Sequence, residues 1–287
     1  MASISGVVVV VRDAKLAERA NTGLNARVRR TAEWRLRLAT SRWRRLPDFI
    51  IIGGQRCGTT SLFHSLAEHP RLVPSFRKEV HYFDFHQRKH GLDWYRANFP
   101  MRTRRSGHYP TFEATPNYLA FPGAPQSIHA AVPDTKLIAL LRNPIERAHS
   151  SWRFTAYQGL ENRDFGEAVR AEARRDAESD GAETTEMRHA YLAKSRYAEH
   201  LEKWMELFDP ERLLVVRSED LFNEPDDTIS RILGFVDPDL RTDLRVQHIH
   251  ASPPAEIEPG LRDWLAEYFE PHNRKLAALT GLEFTWS

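Results

Sequence analysis

Cysteine is almost missing from this sequence. Cys57 is the only one, so no intrachain disulfide forms and a metal cluster built on cysteines is excluded. Long apolar runs are missing too: nothing approaches the eighteen or so residues that a membrane helix needs. Val7 to Val11 is apolar but short, has no basic residue before it and no convincing cleavage site, which gives the expectation of a cytoplasmic chain. Excess charge is absent overall, the formal net value being +2. Acidic residues are scarce in one place. Arg12, Lys15, Arg19, Arg27, Arg29, Arg30, Arg35, Arg37, Arg42, Arg44 and Arg45 face only Asp13, Glu18 and Glu33. Residues 1–45 therefore read as a basic, partly helical N-terminal extension, in weak contact at most with an anionic surface and with no specific nucleic-acid partner. A solvated arm is the preferred reading; Trp34, Leu36, Leu38 and Trp43 leave open a helix packed on the body. Repeats and long low-complexity segments are absent, and nothing in the pattern specifies an oligomeric state. With 287 residues, 41% apolar and 28% charged, the remainder fits a single large domain, residues 46–287.

The most informative stretch runs from Pro47 to Leu66. Phe49 to Ile52 is a short, β-branched apolar run, the mark of a strand covered on both faces. Gly53, Gly54 and Gly58 suit a tight turn, and Leu62, Phe63, Leu66 and Ala67 follow at helical spacing, with Pro70 marking the stop. Strand, glycine turn and helix start make an anion site, because the first N–H groups of a helix have no internal partner. The nearest named pattern is the Walker loop, G-x-x-x-x-G-K-[ST]. Gly53 and Gly58 are correctly separated and Thr60 supplies the hydroxyl, but Thr59 stands where the lysine belongs. The cation inside the turn is Arg56. A glycine turn without a ligand is the plain alternative, and Cys57 reads as a small residue filling the turn in preference to a catalytic thiol.

Two further stretches carry ionisable groups to the same kind of place. Lys78-Glu79-Val80-His81-Tyr82-Phe83-Asp84 alternates charged and apolar residues, and in a parallel sheet the loops at strand C-termini converge on the ligand crevice. Glu79, His81 and Asp84 are thus candidates for acid–base work, with a mixed environment expected to raise a carboxylate toward the working range of a base; an exposed surface strand is the alternative. Leu137 to Leu141 reads as a second buried strand, followed by Asn143 as helix cap and Pro144 at the first helical position. Its end carries Arg142, where a magnesium-using NTPase often has an aspartate, so this turn also looks suited to an anion, with Ser150 two helical turns further on. A third strand, Leu213 to Val216, and helices around Tyr197–Phe208, Ile229–Gly234 and Leu261–Leu279 complete an alternating pattern. Residues 161–186 read as exposed helix and loop. The fold class is α/β: a P-loop-like parallel β-sheet flanked by helices on both faces.

Taken together, Ile50–Leu62, Lys78–Asp84, Glu113-Ala114-Thr115-Pro116-Asn117-Tyr118 and Leu141–Ser150 resemble the sulfotransferase family that uses 3′-phosphoadenosine-5′-phosphosulfate (PAPS), in the branch of the heparan-sulfate enzymes and their bacterial relatives. The resemblance spans Pro47 to Trp286. It implies transfer of a sulfuryl group from PAPS to a hydroxyl or amine of a sugar, glycolipid or natural product by in-line displacement, leaving PAP, with no metal. It places Gln55, Arg56, Cys57, Gly58, Thr59, Thr60 and Ser61 on the 5′ end of the donor and Arg142 and Ser150 on its 3′-phosphate. It makes Glu79 the base, with Arg56 and His81 as the other catalytic groups and Asp84 accompanying them. Arg56 stands where many members have lysine, Ala114 where the heparan-sulfate enzymes have an active-site lysine, and the disulfide that closes their cofactor loop is impossible here; residues 246–254 are the candidate replacement. The rival readings are a P-loop kinase or NTPase, which lacks its lysine and its carboxylate, and a non-catalytic nucleotide-binding protein.

Overall fold

A computed structural model describes residues 29–87, 89–102, 109–178, 189–240, 244–246, 249, 256–284 and 286. Strands β1 (Phe49–Gly53), β2 (Val73–Pro74), β3 (Thr111–Ala114), β4 (Lys136–Leu141) and β5 (Leu213–Arg217) form a parallel sheet in the order β2-β3-β1-β4-β5. Phe49 lies opposite Phe112 and Lys136, and Ile51 opposite Ala114 and Ile138. The register slips between Ile51 and Gly53, where the chain prepares to leave the sheet. β1 is central and wholly buried, which is what its unbroken apolar run demands.

Side chains alternate across the sheet and divide the core in two. Ile50, Ile52, Leu137, Leu141 and Leu213 pack with Tyr95, Tyr118, Leu201 and Trp204 on one face. Phe49, Ile51, Phe112, Ile138 and Val216 pack on the other with Leu62 and Leu66 of α2 (Thr59–Ala67) and Ile229 and Ile232 of α9 (Pro225–Val236). The first face is covered by α3 (Leu92–Arg96), α4 (Ala124–Ala131) and α7 (Tyr197–Met205). A third cluster joins α5 (Pro144–Tyr157), α6 (Phe165–Glu178) and α10 (Pro259–Thr280) through Ile145, Val169, Leu265 and Phe269. The short α8 (Ser218–Asn223) follows β5. The expected parallel sheet with helices on both faces is therefore what forms. Among the described residues no helix is long and apolar enough to cross a membrane.

Three local expectations change. Residues 29–39 are helical (α1) and docked on the body. Trp34 stacks on Phe76 at 5.9 Å and meets Trp94 edge-on at 5.6 Å, while buried Arg44 donates to the Phe99 carbonyl at 2.9 Å. Indole burial and cation–π contact of Arg37 over Phe76 outweigh the solvation expected of a basic stretch; the arm before residue 29 lies outside the described residues. The closing helices are a single helix, α10, that runs through Pro271, because buried Leu261, Leu265, Phe269 and Leu276 hold both halves on one apolar face. α9 likewise passes Gly234 and ends at Val236.

The exit from β1 is the tightest point. A Cβ on Gly53 would come within 2.7 Å of both Leu119 Cβ and the Pro116 carbonyl oxygen, at a φ of +153°. Gly53→Ala is expected to lower stability by roughly 1–3 kcal/mol, measured as a drop in the denaturant midpoint; an unchanged midpoint would mean the turn has slack.

Candidate active site

Beyond Gly53 the chain bends over the end of the sheet. The Gly54 N–H donates to the Leu140 carbonyl at 2.5 Å and the Cys57 N–H returns to the Gly54 carbonyl at 3.2 Å. Gly58 caps α2 in the left-handed region, φ +86°, with no side-chain acceptor on the first N–H groups of the helix. Those groups are left for a ligand anion. Arg56 also adopts a left-handed backbone, φ +70°, a conformation that costs a non-glycine residue energy and recurs at functional sites.

This turn forms one wall of a cleft of about 440 Å³, within the size range of small-ligand sites. Gln55, Arg56, Gly58, Thr59 and Thr60 line it from the turn, and Arg142, Ser150 and Phe154 from the end of β4 and from α5. Glu79 and Pro116 lie on one side; Ser218, Glu219, Phe222, Asn223 and Ile249 close the other. The two anion sites read from the sequence prove to be contiguous, because Arg56 Nε donates to Ser150 Oγ at 3.1 Å. The Arg56 guanidinium also stands over the Phe154 ring at 5.1 Å. Burial, then repulsion from Arg142, Arg153 and Arg147, holds Arg56 below the usual arginine value. Arg142 approaches Glu146 at 3.6 Å, and Glu146 is shared with Arg262 at 3.0 Å. Asn143 Oδ1 accepts the Ile145 N–H at 2.9 Å, which is the expected cap of α5.

Two residues assigned to the donor by resemblance point elsewhere. Cys57 is fully buried beside Tyr197, Sγ to hydroxyl 3.7 Å, and burial pushes its thiol up to about 11. The tight turn leaves it only the core side, so it fills space, as the plainer reading had it. Ser61 is buried in α2, and its Oγ accepts the Ile249 N–H at 3.0 Å. It thereby ties down Ile249, which lines the cleft; residues 247, 248 and 250–254 lie outside the described residues.

The acid–base group assembles on the 79–86 segment, where a π-helical turn covers Tyr82–His86. Glu79 and His81 both have left-handed backbones, φ +58° and +53°. His81 Nδ1 donates to Asp84 Oδ2 at 2.8 Å, and its Nε2 lies 3.6 Å from Glu79 Oε2. Lys78 closes on Glu79 from the other side. The expectation of a raised carboxylate fails at Glu79. The His81 ring, then Lys78, hold it down to about 2 against the opposing effect of burial. Burial lowers His81, but Asp84 and Glu79 outweigh it and lift the imidazole to about 9. At neutral pH this is a carboxylate beside an imidazolium. The raised carboxyl is Glu113, at the end of β3: burial pushes it up to about 7. It accepts hydrogen bonds from Tyr95 at 2.6 Å and Thr115 at 2.7 Å, and Tyr118 accepts the Tyr82 N–H at 2.9 Å, so the Glu113 cluster underlies the 79–86 turn.

Sequence reasoning missed Lys194, Glu219 and Phe222. Phe222 lies 3.0 Å from where a Gly58 Cβ would be. Glu219 Oε1 accepts the Asn143 N–H at 2.8 Å, while its Oε2 is buried without a partner. Lys194 reaches Gln55 Oε1 at 3.4 Å and Asn117 Oδ1 at 3.3 Å. These residues stand far from the glycine turn in the chain, and no spacing rule connects them to it.

Comparison with known proteins places the chain among sulfotransferases. The sulfotransferase domain model matches residues 46–252. Human heparan sulfate glucosamine 3-O-sulfotransferase 6 is 29% identical over 269 residues, 85% of this chain and 74% of that one. The bifunctional heparan sulfate N-deacetylase/N-sulfotransferase 1 of Caenorhabditis elegans is 29% identical over 67% of this chain, which spans 22% of that protein's length. A sulfotransferase crystal structure from Alicyclobacillus acidocaldarius superposes with a TM-score of 0.69 at 25% identity, over 84% of this chain and 98% of that one.

The buried thiol gives a simple check on the turn. Cys57 is expected not to react with Ellman's reagent in the native protein at pH 8 and to react fully on unfolding; rapid native labelling would contradict its placement.

Proposed function

The chain belongs to the sulfotransferase family, and from that premise we propose that it moves a sulfuryl group from PAPS to a hydroxyl or amine of a small, weakly charged acceptor. The observation that carries this reading is the meeting of Arg56, Arg142 and the uncapped N-terminus of α2 in the cleft that Glu79 also lines. The donor is a polyanion, and these groups offer it guanidinium forks and free N–H donors. The orphaned Glu219 Oε2 fits a ligand that also brings N–H or O–H donors into the same cleft.

In this scheme the acceptor oxygen attacks sulfur as the bond from sulfur to the 5′-phosphate oxygen breaks, and the electron pair leaves with PAP. Arg56 stabilises charge on that oxygen but keeps its own proton. Glu79 takes the acceptor's proton. A carboxylate held near 2 is a weak base toward a free hydroxyl, but a hydroxyl already bonding to sulfur is strongly acidic, so the transfer is late and a weak base suffices. His81 and Asp84 hold the Glu79 carboxylate in position. No step draws on a metal in this reading.

The acceptor side is apolar at its rim. Phe154 and Phe85 are exposed at 42% and 57%, Phe154 over Arg56 and Phe85 5.2 Å from the His81 ring. Ala114 is buried within β3. These features favour a sugar, glycolipid or natural-product acceptor over a highly anionic glycan.

Labelled sulfate supplied as PAPS to the protein with a metabolite extract is expected to appear in a discrete organic product. Release only as inorganic sulfate would defeat the acceptor proposal. Glu79→Gln is expected to lower transfer by about 10²–10⁴-fold while PAP still binds within a few-fold; undiminished turnover would remove Glu79 as the base.

A further inference from the structure

The 191–195 segment is fixed with unusual thoroughness. Buried Glu172 of α6 accepts the N–H groups of Tyr191, Leu192 and Ala193 at 2.7, 2.9 and 2.9 Å. Buried Arg147 of α5 donates to Ser195 Oγ at 2.5 Å and to the Tyr191 carbonyl. Two buried charges thus clamp a 3₁₀ turn, Ala193–Ser195, although burying charge is costly unless it secures something. The turn carries one long side chain toward the donor loop. Lys194 Nζ lies between Gln55 of the donor turn, 3.4 Å, and Asn117, 3.3 Å. Asn117 Nδ2 in turn donates to Asp84 Oδ2 at 3.0 Å, and Asp84 holds His81. The ammonium therefore stands between the donor loop and the acid–base group. Its recorded partners are two neutral amide oxygens, and no carboxylate forms an ion pair with it among the described residues.

We propose that Lys194 is a catalytic cation that contacts the sulfuryl group of the donor and stabilises its charge during transfer. This rests on PAPS being the donor. A half-buried ammonium with three donors, two recorded acceptors and no ion pair among the described residues is incompletely satisfied, and an entering sulfuryl oxygen supplies a further acceptor that is charged. Lys194 changes no bond: sulfur passes from the phosphate oxygen to the acceptor oxygen, and the acceptor's proton goes to Glu79. The charged groups facing Lys194 are Arg147 from α5, Glu172 from α6 and Asp84 from the 82–86 turn. Burial, then Arg147, holds the ammonium down to about 8, with Glu172 and Asp84 opposing. A lysine so lowered gives up its proton as pH rises through about 8, and an anion that prefers the charged form loses affinity over the same interval.

PAP lacks the sulfuryl group and PAPS has it, so the two nucleotides separate this role from general support of the site. Affinities of the full chain for each would be measured by calorimetry at pH 7 and pH 9. Lys194→Met is expected to weaken PAPS about tenfold or more and PAP less than about twofold. In the wild type, PAPS affinity is expected to fall from pH 7 to 9 with proton uptake on binding at pH 8, and Lys194→Arg to remove both effects. Equal weakening of PAPS and PAP by Lys194→Met overturns the inference, because it marks a structural role. Unchanged PAPS affinity overturns it as well, and where Lys194→Met fails to fold, Lys194→Gln is measured against the same two nucleotides with the same outcomes. Failure of the wild type to bind either nucleotide overturns the donor assignment itself, and this inference with it.

Discussion

The cleft depends on one steric constraint, the enclosure of the backbone that leaves β1. Gly53 is held against Leu119 and Pro116, and Gly58 against Phe222. Contact at that distance crowds any Cβ, so the turn is fixed between the Pro116–Leu119 segment that follows β3 on one side and α8 on the other. The N-terminus of α2, the left-handed backbone of Arg56 and the inward direction of Cys57 all follow from that position. Strain at Arg56, Glu79 and His81 is sustained because the packing around each is over-determined, as in the Glu113 cluster beneath the 79–86 segment.

Like charge is the second consequence. Arg56 and Arg142 line one cleft and Lys194 stands at its edge, with Arg147 behind them. The nearby carboxylates are engaged in holding structure: Glu146 between Arg142 and Arg262, Glu219 on the Asn143 N–H, Glu172 on the 191–193 backbone. Burial first, and then repulsion from neighbouring arginines, lowers both Arg56 and Lys194. An assembly of this kind costs stability when empty and recovers it when a polyanion binds, so ligand and fold stabilise one another. Glu79 shows the converse. Its cationic neighbours hold it ionised, and the arrangement favours a weak base acting late over a strong base acting early.

Much of the architecture was legible because it is written in short-range chemistry. Short apolar runs at Phe49–Ile52, Leu137–Leu141 and Leu213–Val216, set between helical patterns, point to a buried parallel sheet, and Asn143-Pro144 encodes a helix start in two residues. Proline and glycine signals were weaker. Gly234 failed to stop its helix, and Pro271 lies inside α10, because an apolar face that continues past each gains more from packing than the residue costs. Over residues 29–45 the packed-helix alternative holds for the same reason: the composition counted arginines, while the docking lies in the Trp34 indole on Phe76 and Trp94.

By itself the sequence determined the strand–turn–helix units, the kind of ligand that a glycine turn with Arg56 and a strand ending in Arg142 would attract, and the residues able to exchange protons beside them. Those are properties of neighbours in the chain. Only the tertiary structure decided that Arg56 would bond to Ser150, that Cys57 and Ser61 would turn away from the cleft, that Glu79 would be held low while Glu113 was raised, and that Lys194 would arrive between Gln55 and Asn117. Each of those outcomes depends on groups far apart in the chain meeting at low dielectric, where a few ångströms of placement change both the partners and the charge state of a side chain.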